Sequence, residues 1–304
     1  MEVAESSEAQ VTSLLSNRVL GRVERMRINS TRRLTNRSRG EHLSGKGGSS
    51  IEFADYRDYA EGDDIRYVDW NIFSRLRRPY VKLFHQEEEM HVVLVIDASS
   101  SMLFEEKIRM AQRIAAAFGV MAMFNVERVS AYVINRLEDQ APPVLAPCTG
   151  RLSLPRLFDF LERIEGGGDV PLEEGIEGVL HQHRGRGIAL VLSDFLTYGD
   201  LRRAFNRLHA VGLELFAVQI LGPTEIDPEV TGDLRFVDCE TANTLDVSSA
   251  GNLLDLYQQY RLDYQRRLET MCRQRHGRML SISAADPIES VLLDLMRRRG
   301  WITD

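Results

Sequence analysis

Asp97, Ser99 and Ser101 stand two residues apart in the stretch His91 to Met102, HVVLVIDASSSM. A carboxylate followed by hydroxyls at this spacing gathers hard oxygen donors in one loop. Magnesium takes such donors at about 2.0 to 2.1 Å while keeping several waters. A second carboxylate, Asp194, follows Ser193 at the end of another apolar run, Ile188 to Leu192. Two carboxylates at one edge repel, and a divalent cation is a natural way to satisfy them. A plainer account also fits: Asp97 caps the next helix while the serines make the turn, or both carboxylates are held by backbone amides and seryl hydroxyls.

Such a site needs elements that deliver the two loops to one place. Val92 to Ile96 is an uninterrupted run of β-branched and Leu residues, the mark of a strand buried on both faces. In open α/β sheets ligands sit beyond the carboxyl ends of such strands. Downstream, helical spacing predicts helices at Glu106 to Phe124, Leu154 to Ile164, Leu172 to His183, Leu201 to Val211, Leu253 to His276 and Ile288 to Arg299. Between them fall short apolar strands at Val129 to Ile134, Pro143 to Ala146 (an edge strand), Ile188 to Leu192, Leu213 to Ile220 and Met279 to Ile282. Alternation of this kind calls for a doubly wound, mostly parallel α/β sheet.

At 304 residues, 43% hydrophobic and 27% charged, the chain can bury a full core. No apolar run approaches the ~18 residues that span a bilayer, and the acidic start MEVAESSEAQ does not read as a secretory leader, so a cytoplasmic location is the default expectation. Cys148, Cys239 and Cys272 lie far apart and read as reduced structural thiols. A net charge of -7 argues against a nucleic-acid protein overall. The exception is local: Val11 to Arg39 reads as one or two helices and carries Arg18, Arg22, Arg25, Arg27, Arg32, Arg33, Arg37 and Arg39. RNA or membrane-surface attachment is an alternative there, but stacking aromatics are absent and a solvated or internally paired face is the commoner use. GEHLSGKG at 40–47 imitates a phosphate-binding loop but has Gly47 where Ser or Thr must meet magnesium and no buried strand before it; residues 40–50 read instead as a Gly- and Ser-rich linker.

From Ile51 to Glu89, Asp55, Asp58, Asp63, Asp64 and Asp69 alternate with Arg57, Arg66 and Arg75 and with aromatic rings. This predicts a partly buried ion-pair layer, a turn at Glu61 to Asp64, and a strand from Tyr80 to His85 entering the sheet beside Val92 to Ile96. The ordered set Gly40, His42, Gly47, Glu52-Phe53, Arg57, Tyr59, Gly62-Asp63-Asp64, Arg66, Asp69-Trp70, Arg75, Val81-Lys82 and Asp97-x-Ser99-x-Ser101-Met102 resembles the bacterial domain of unknown function fifty-eight. The resemblance continues into Phe236 to Thr241 and the C-terminal helices. It implies a von Willebrand factor A-like domain at 90–304, preceded by an extension at 1–89 that carries the motif and packs on the core. It also implies a metal-ion-dependent adhesion site, with Asp97, Ser99 and Ser101 in the first loop and Asp194 in the third, and a MoxR-type AAA+ ATPase or its client as partner. The second loop departs from the family pattern: Gly167-Gly168-Asp169 lacks the threonine, and Asp169 becomes the candidate substitute.

The leading expectation is therefore a non-catalytic interaction module with a Mg2+-type site. A metal-dependent hydrolase of phosphate esters is the alternative, but a dehalogenase-type phosphatase needs a second Asp where this chain has Ser99, and no Gly-x-Ser-x-Gly elbow occurs. His181 and His183, two apart on a helix, face different ways and make no joint metal site. His42 and His91 read as structural.

Overall fold

The computed structural model describes residues 10–31, 35–38, 51–87, 90–135, 141–197, 199–228, 234–237, 244–247 and 251–304. The linker at 40–50, with His42, and the motif residues 238–241, with Cys239, lie outside them. The chain forms two compact units, residues 32–90 and the remainder. The larger unit starts with α1 (Asn17–Val23) and β1 (Arg27–Ile28). The smaller contains β2 (Thr35–Ser38), β3 (Ile51–Asp58), α2 (Trp70–Leu76) and β4 (Tyr80–Glu87). The larger resumes with β5 (His91–Asp97), α3 (Lys107–Phe124), β6 (Arg128–Ile134), β7 (Val144–Cys148), α4 (Leu154–Glu162), α5 (Leu172–Gln182), β8 (Gly187–Ser193), α6 (Leu201–Ala210) and β9 (Leu213–Leu221). It ends with α7 (Pro223–Ile226), β10 (Leu234–Val237), β11 (Thr244–Val247), α8 (Gly251–Arg273), β12 (Arg278–Ser283), α9 (Ile288–Ser290, continued by a π-helical stretch to Met296) and β13 (Ile302–Thr303).

The main sheet has the order β12-β9-β8-β5-β6-β7, parallel except for β7 at its edge. Both faces of β5 are buried, as the unbroken apolar run requires. Val93 and Val95 face a cluster built from Leu172, Ile176, Phe205, Leu208 and Leu268 of α5, α6 and α8. On the opposite face α3 crosses the sheet, and Phe118 packs edge-on against Phe216, which in turn meets Trp301 at 5.0 Å. The doubly wound α/β architecture expected from the alternating elements is the one observed.

Three local expectations are corrected. The segment from Val11 to Arg39 is not continuous helix. After α1 buries Val19, Leu20 and Val23, burial alternates, with Met26 and Ile28 inside and Arg25 and Arg27 outside; a period of two makes a strand, and β1 pairs with β13. Residues through Thr31 accordingly group with the larger unit and not with the motif segment. Finally, β4 does not enter the main sheet beside β5. Both edges of β5 are taken by β6 and β8, and β4 is the middle strand of a separate antiparallel sheet, β2-β4-β3.

Within the smaller unit the charged motif residues do structural work. The Arg57 guanidinium grips Asp63 with two bonds of 2.7 Å around the turn at Gly62, whose φ is +103°. Asp69 caps α2 through the amides of Asn71 and Ile72 and also receives Lys82 at 3.0 Å and the Tyr56 hydroxyl at 3.1 Å. Lys82 foremost, then the amide of Ile72, hold its carboxyl down at about 2.

His183 ends α5 and is buried between the rings of His91, 5.3 Å away, and Tyr132, 6.3 Å away. Burial, and secondarily His91, push its imidazole down to about 4 from 6.5. The native state keeps this ring neutral where the unfolded chain gains a proton. Its contribution is therefore complete above about pH 6.5 and fades as pH falls toward 4, by up to about 3 kcal/mol. His183→Phe is expected to remove that share of the slope. Chemical denaturation of both proteins between about pH 7 and pH 4 checks this; parallel profiles would refute it.

Candidate metal centre

β5 and β8 are adjacent and parallel, so Asp97 and Asp194 leave the sheet side by side at its carboxyl edge. A third loop joins them. Gly167 donates its amide to the Ala98 carbonyl at 2.7 Å, and the Ser100 amide and hydroxyl both donate to the Gly168 carbonyl, at 3.0 and 3.1 Å. These bonds hold the Gly-Gly-Asp turn against the Asp-x-Ser-x-Ser loop. Asp97, Ser99, Ser101, Asp169 and Asp194 all line one cavity of about 220 Å³, together with Glu173 and Thr197. All five site residues read from the sequence are thus brought together.

Asp97 is 5% exposed. One carboxylate oxygen accepts the Ser99 amide at 3.0 Å and the other accepts the Ser193 hydroxyl at 2.5 Å. Burial, then the charge of Asp194, push the Asp97 carboxyl up to about 6, against the lowering effect of the two serines. The hydroxyls of Ser99 and Ser101 lie 3.1 Å apart. Asp169 is exposed, and Glu173 receives the Thr197 hydroxyl at 3.2 Å.

Asp194, 2% exposed, is fully engaged. One oxygen accepts the Leu196 amide at 3.0 Å; the other receives the Lys107 ammonium at 2.8 Å. Lys107 is itself wholly buried and also donates to Glu225 at 2.7 Å. Burial pulls the pKa of this ammonium down, but Asp194 and Glu225 outweigh it and the net shift is upward.

The donor set fits a hard divalent cation. Asp97 and two hydroxyls share one wall with room for waters, and Asp169 stands at the same cavity. Among the described residues no three His, Cys, Asp or Glu side chains are close enough to form a metal group by themselves. An ion here would therefore be held by Asp97 with seryl oxygens and waters completing its shell, and magnesium commonly keeps several waters.

Lys107, Ser193 and Glu225, like Glu173 and Thr197 on the cavity wall, are not among the site residues expected from the sequence. Lys107 left one local signal: a basic residue opening a helix faces the positive end of the helix dipole, an unfavourable place unless a carboxylate waits there. Ser193 was visible only as the neighbour of Asp194, and nothing local marks Glu225.

Uncharacterized protein Rv1480 of Mycobacterium tuberculosis and uncharacterized protein Mb1516 of Mycobacterium bovis are each 27% identical over 206 residues, 66% of this chain. The chain spans 65% of the length of these relatives. Similar solved structures include an aerotolerance-related membrane protein from Bacteroides fragilis, at TM-score 0.42 and 14% identity, covering 69% of this chain and 98% of that one. BatB from Bacteroides thetaiotaomicron follows at TM-score 0.40 and 13% identity, with 69% and 97% covered. A von Willebrand factor type A protein from Catenulispora acidiphila aligns at TM-score 0.34 and 15% identity, over 46% of this chain and 35% of that one. The family described as protein of unknown function DUF58 matches residues 55–277, most of the chain, and the chain belongs to that family.

Proposed function

We propose that this chain is a protein-interaction module whose working centre is a Mg2+-type site. In this reading Asp97, Ser99 and Ser101 hold the cation, Asp169 adds a ligand directly or through water, and Asp194 contributes charge from behind. The observation that carries it is the convergence of these residues on one cavity at the carboxyl edge of adjacent parallel strands. A bound divalent cation would supply an open coordination position for a carboxylate of the partner. The protein's own part is to fix the donors: the Ser193 and Ser99 bonds orient Asp97, and the Gly168 carbonyl anchors the serine loop.

Leu103 and Phe104, on the loop after Ser101, and Leu196, after Asp194, are each about half exposed. Apolar side chains beside a charged centre are the usual composition of a recognition surface. The resemblance noted in the sequence nominates a MoxR-type AAA+ ATPase or its client as the partner; the cytoplasm is taken as the place. Among the described residues no helix is long and apolar enough to cross a membrane. The phosphate-ester hydrolase reading takes second place, because Ser99 stands where its proton-transfer Asp would be and is bonded to Ser101.

Calorimetric titration with Mg2+ and capture of a purified MoxR-type ATPase test the proposal. Mg2+ binding and capture are both expected for the wild type, and both are expected to vanish in Asp97→Ala and in chelator. Capture undiminished by chelator would remove the mechanism.

A further inference from the structure

Lys107 is the one buried ammonium in contact with the cavity wall, among the described residues, and nothing in the proposed adhesion chemistry uses it. Its placement is enforced. Glu105 and Glu106, just before it, both take left-handed backbone conformations, φ +48° and +58°, which side-chain-bearing residues adopt only at a cost. The Glu105 carboxylate accepts the Thr224 amide at 3.1 Å and lies where a Cβ on Gly222 would stand. This turn starts α3 with Lys107 aimed inward, against the helix dipole. Glu225 holds the ammonium from the far side, its other oxygen fixed by the Gly222 amide at 2.7 Å.

We propose that Lys107 is a positioning residue that acts through Asp194: an internal counter-cation that sets how strongly the neighbouring site takes a divalent ion. The inference rests on the cation site proposed above. By bonding one oxygen of Asp194, Lys107 withholds that oxygen from direct ligation and offsets part of the carboxylate's charge. Of the two buried carboxylates Asp97 is then the one left to ligate, with the exposed Asp169 at the same cavity, and such a site binds a divalent cation weakly until a partner's carboxylate adds to it. Glu225 tempers the effect, since it takes a share of the ammonium's charge.

Two substitutions should move the affinity in opposite directions. Lys107→Met frees Asp194 and removes a positive charge beside the cation, and is expected to tighten binding by about tenfold or more. Glu225→Gln leaves Lys107 to Asp194 alone, and is expected to weaken binding by about threefold. A merely structural role would shift both variants the same way or neither. Electron paramagnetic resonance titration with Mn2+, with Mg2+ as competitor, reads these affinities on the isolated full chain, and near-ultraviolet circular dichroism reports whether each variant is folded.

Tighter binding by Lys107→Met with weaker binding by Glu225→Gln supports the inference. A folded Lys107→Met that binds no tighter than wild type overturns it. Should that variant fail to fold, Glu225→Gln decides alone, and unchanged or tighter binding there overturns it. If Asp97→Ala abolishes Mn2+ binding while the other two variants match wild type, the cation site stands and only the role of Lys107 falls. If the wild type and all variants bind no Mn2+, both readings fail together.

Discussion

Lys107→Met is expected to lower the stability of the cation-free protein by about 3–5 kcal/mol, the range found when one partner of a buried ion pair is removed. The size follows from what is left behind. Asp194 stays 2% exposed, with the Leu196 amide as its remaining donor and with the buried carboxylate of Asp97, which its charge pushes up, lining the same cavity. Glu225, whose side chain is 20% exposed, can rehydrate more easily, so most of the penalty falls on Asp194. Chemical denaturation in the presence of chelator measures it. Two controls separate the electrostatic cause from lost packing. The double substitution Lys107→Met with Asp194→Asn should recover much of the loss, since it removes both charges. Excess Mg2+ should restore stability to Lys107→Met more than to wild type, because ligand bound only to the folded state stabilises it by mass action. A loss below about 1 kcal/mol would place the pair in the class of exposed ion pairs and contradict its burial.

Asp97→Asn is expected to act in the opposite direction: it should stabilise the cation-free protein near neutral pH, by up to about 3 kcal/mol, while abolishing cation binding. The native Asp97 carboxyl is raised to about 6 from 3.8, foremost by burial and then by Asp194. A carboxyl raised in the folded state contributes fully below about pH 4, where it is protonated in both states. That contribution is lost as pH rises through about 6, because the unfolded chain ionises earlier. The wild type without cations should therefore lose stability between about pH 4 and pH 6 relative to Asp97→Asn, and the two profiles should run parallel above pH 7. Parallel denaturation midpoints across the whole range would show that Asp97 ionises freely in the fold. The trade is a common one at functional centres, where a charged group is kept at a cost in stability for the ligand it will hold.

Much of the architecture was legible because it is written in short-range patterns. The unbroken apolar runs of β5 and β8 mark strands with two buried faces, and the helical spacing of Met110, Ile114, Phe118 and Met121 marks α3 as a covering helix. The site was legible to the same degree: each strand ends in its own Asp, and the hydroxyls follow within one loop. Where the reading went astray, the pattern was shared by two structures. Val11 to Arg39 contains residues at three-to-four spacing, but Met26 and Ile28 change the period to two. Tyr80 to His85 was recognisable as a strand, but which sheet it joins depends on edges already occupied by β6 and β8.

The sequence by itself determined the local decisions: which segments are strands, where they stop, and that oxygen donors gather at those stops. Side chains along a few consecutive residues settle these, through alternation, burial and turn chemistry. Only the tertiary structure decided that β5 and β8 are neighbours, that the Gly168 carbonyl ties the second loop to the first, that β1 closes on β13, and that a lysine lies inside the wall behind Asp194. Each of these is a contact across tens to hundreds of residues, whose formation depends on which surfaces the packed core leaves available. A buried lysine has no local signature beyond its discord with the helix dipole. It is tolerable only once Asp194 and Glu225, 87 and 118 residues away, have been folded around it.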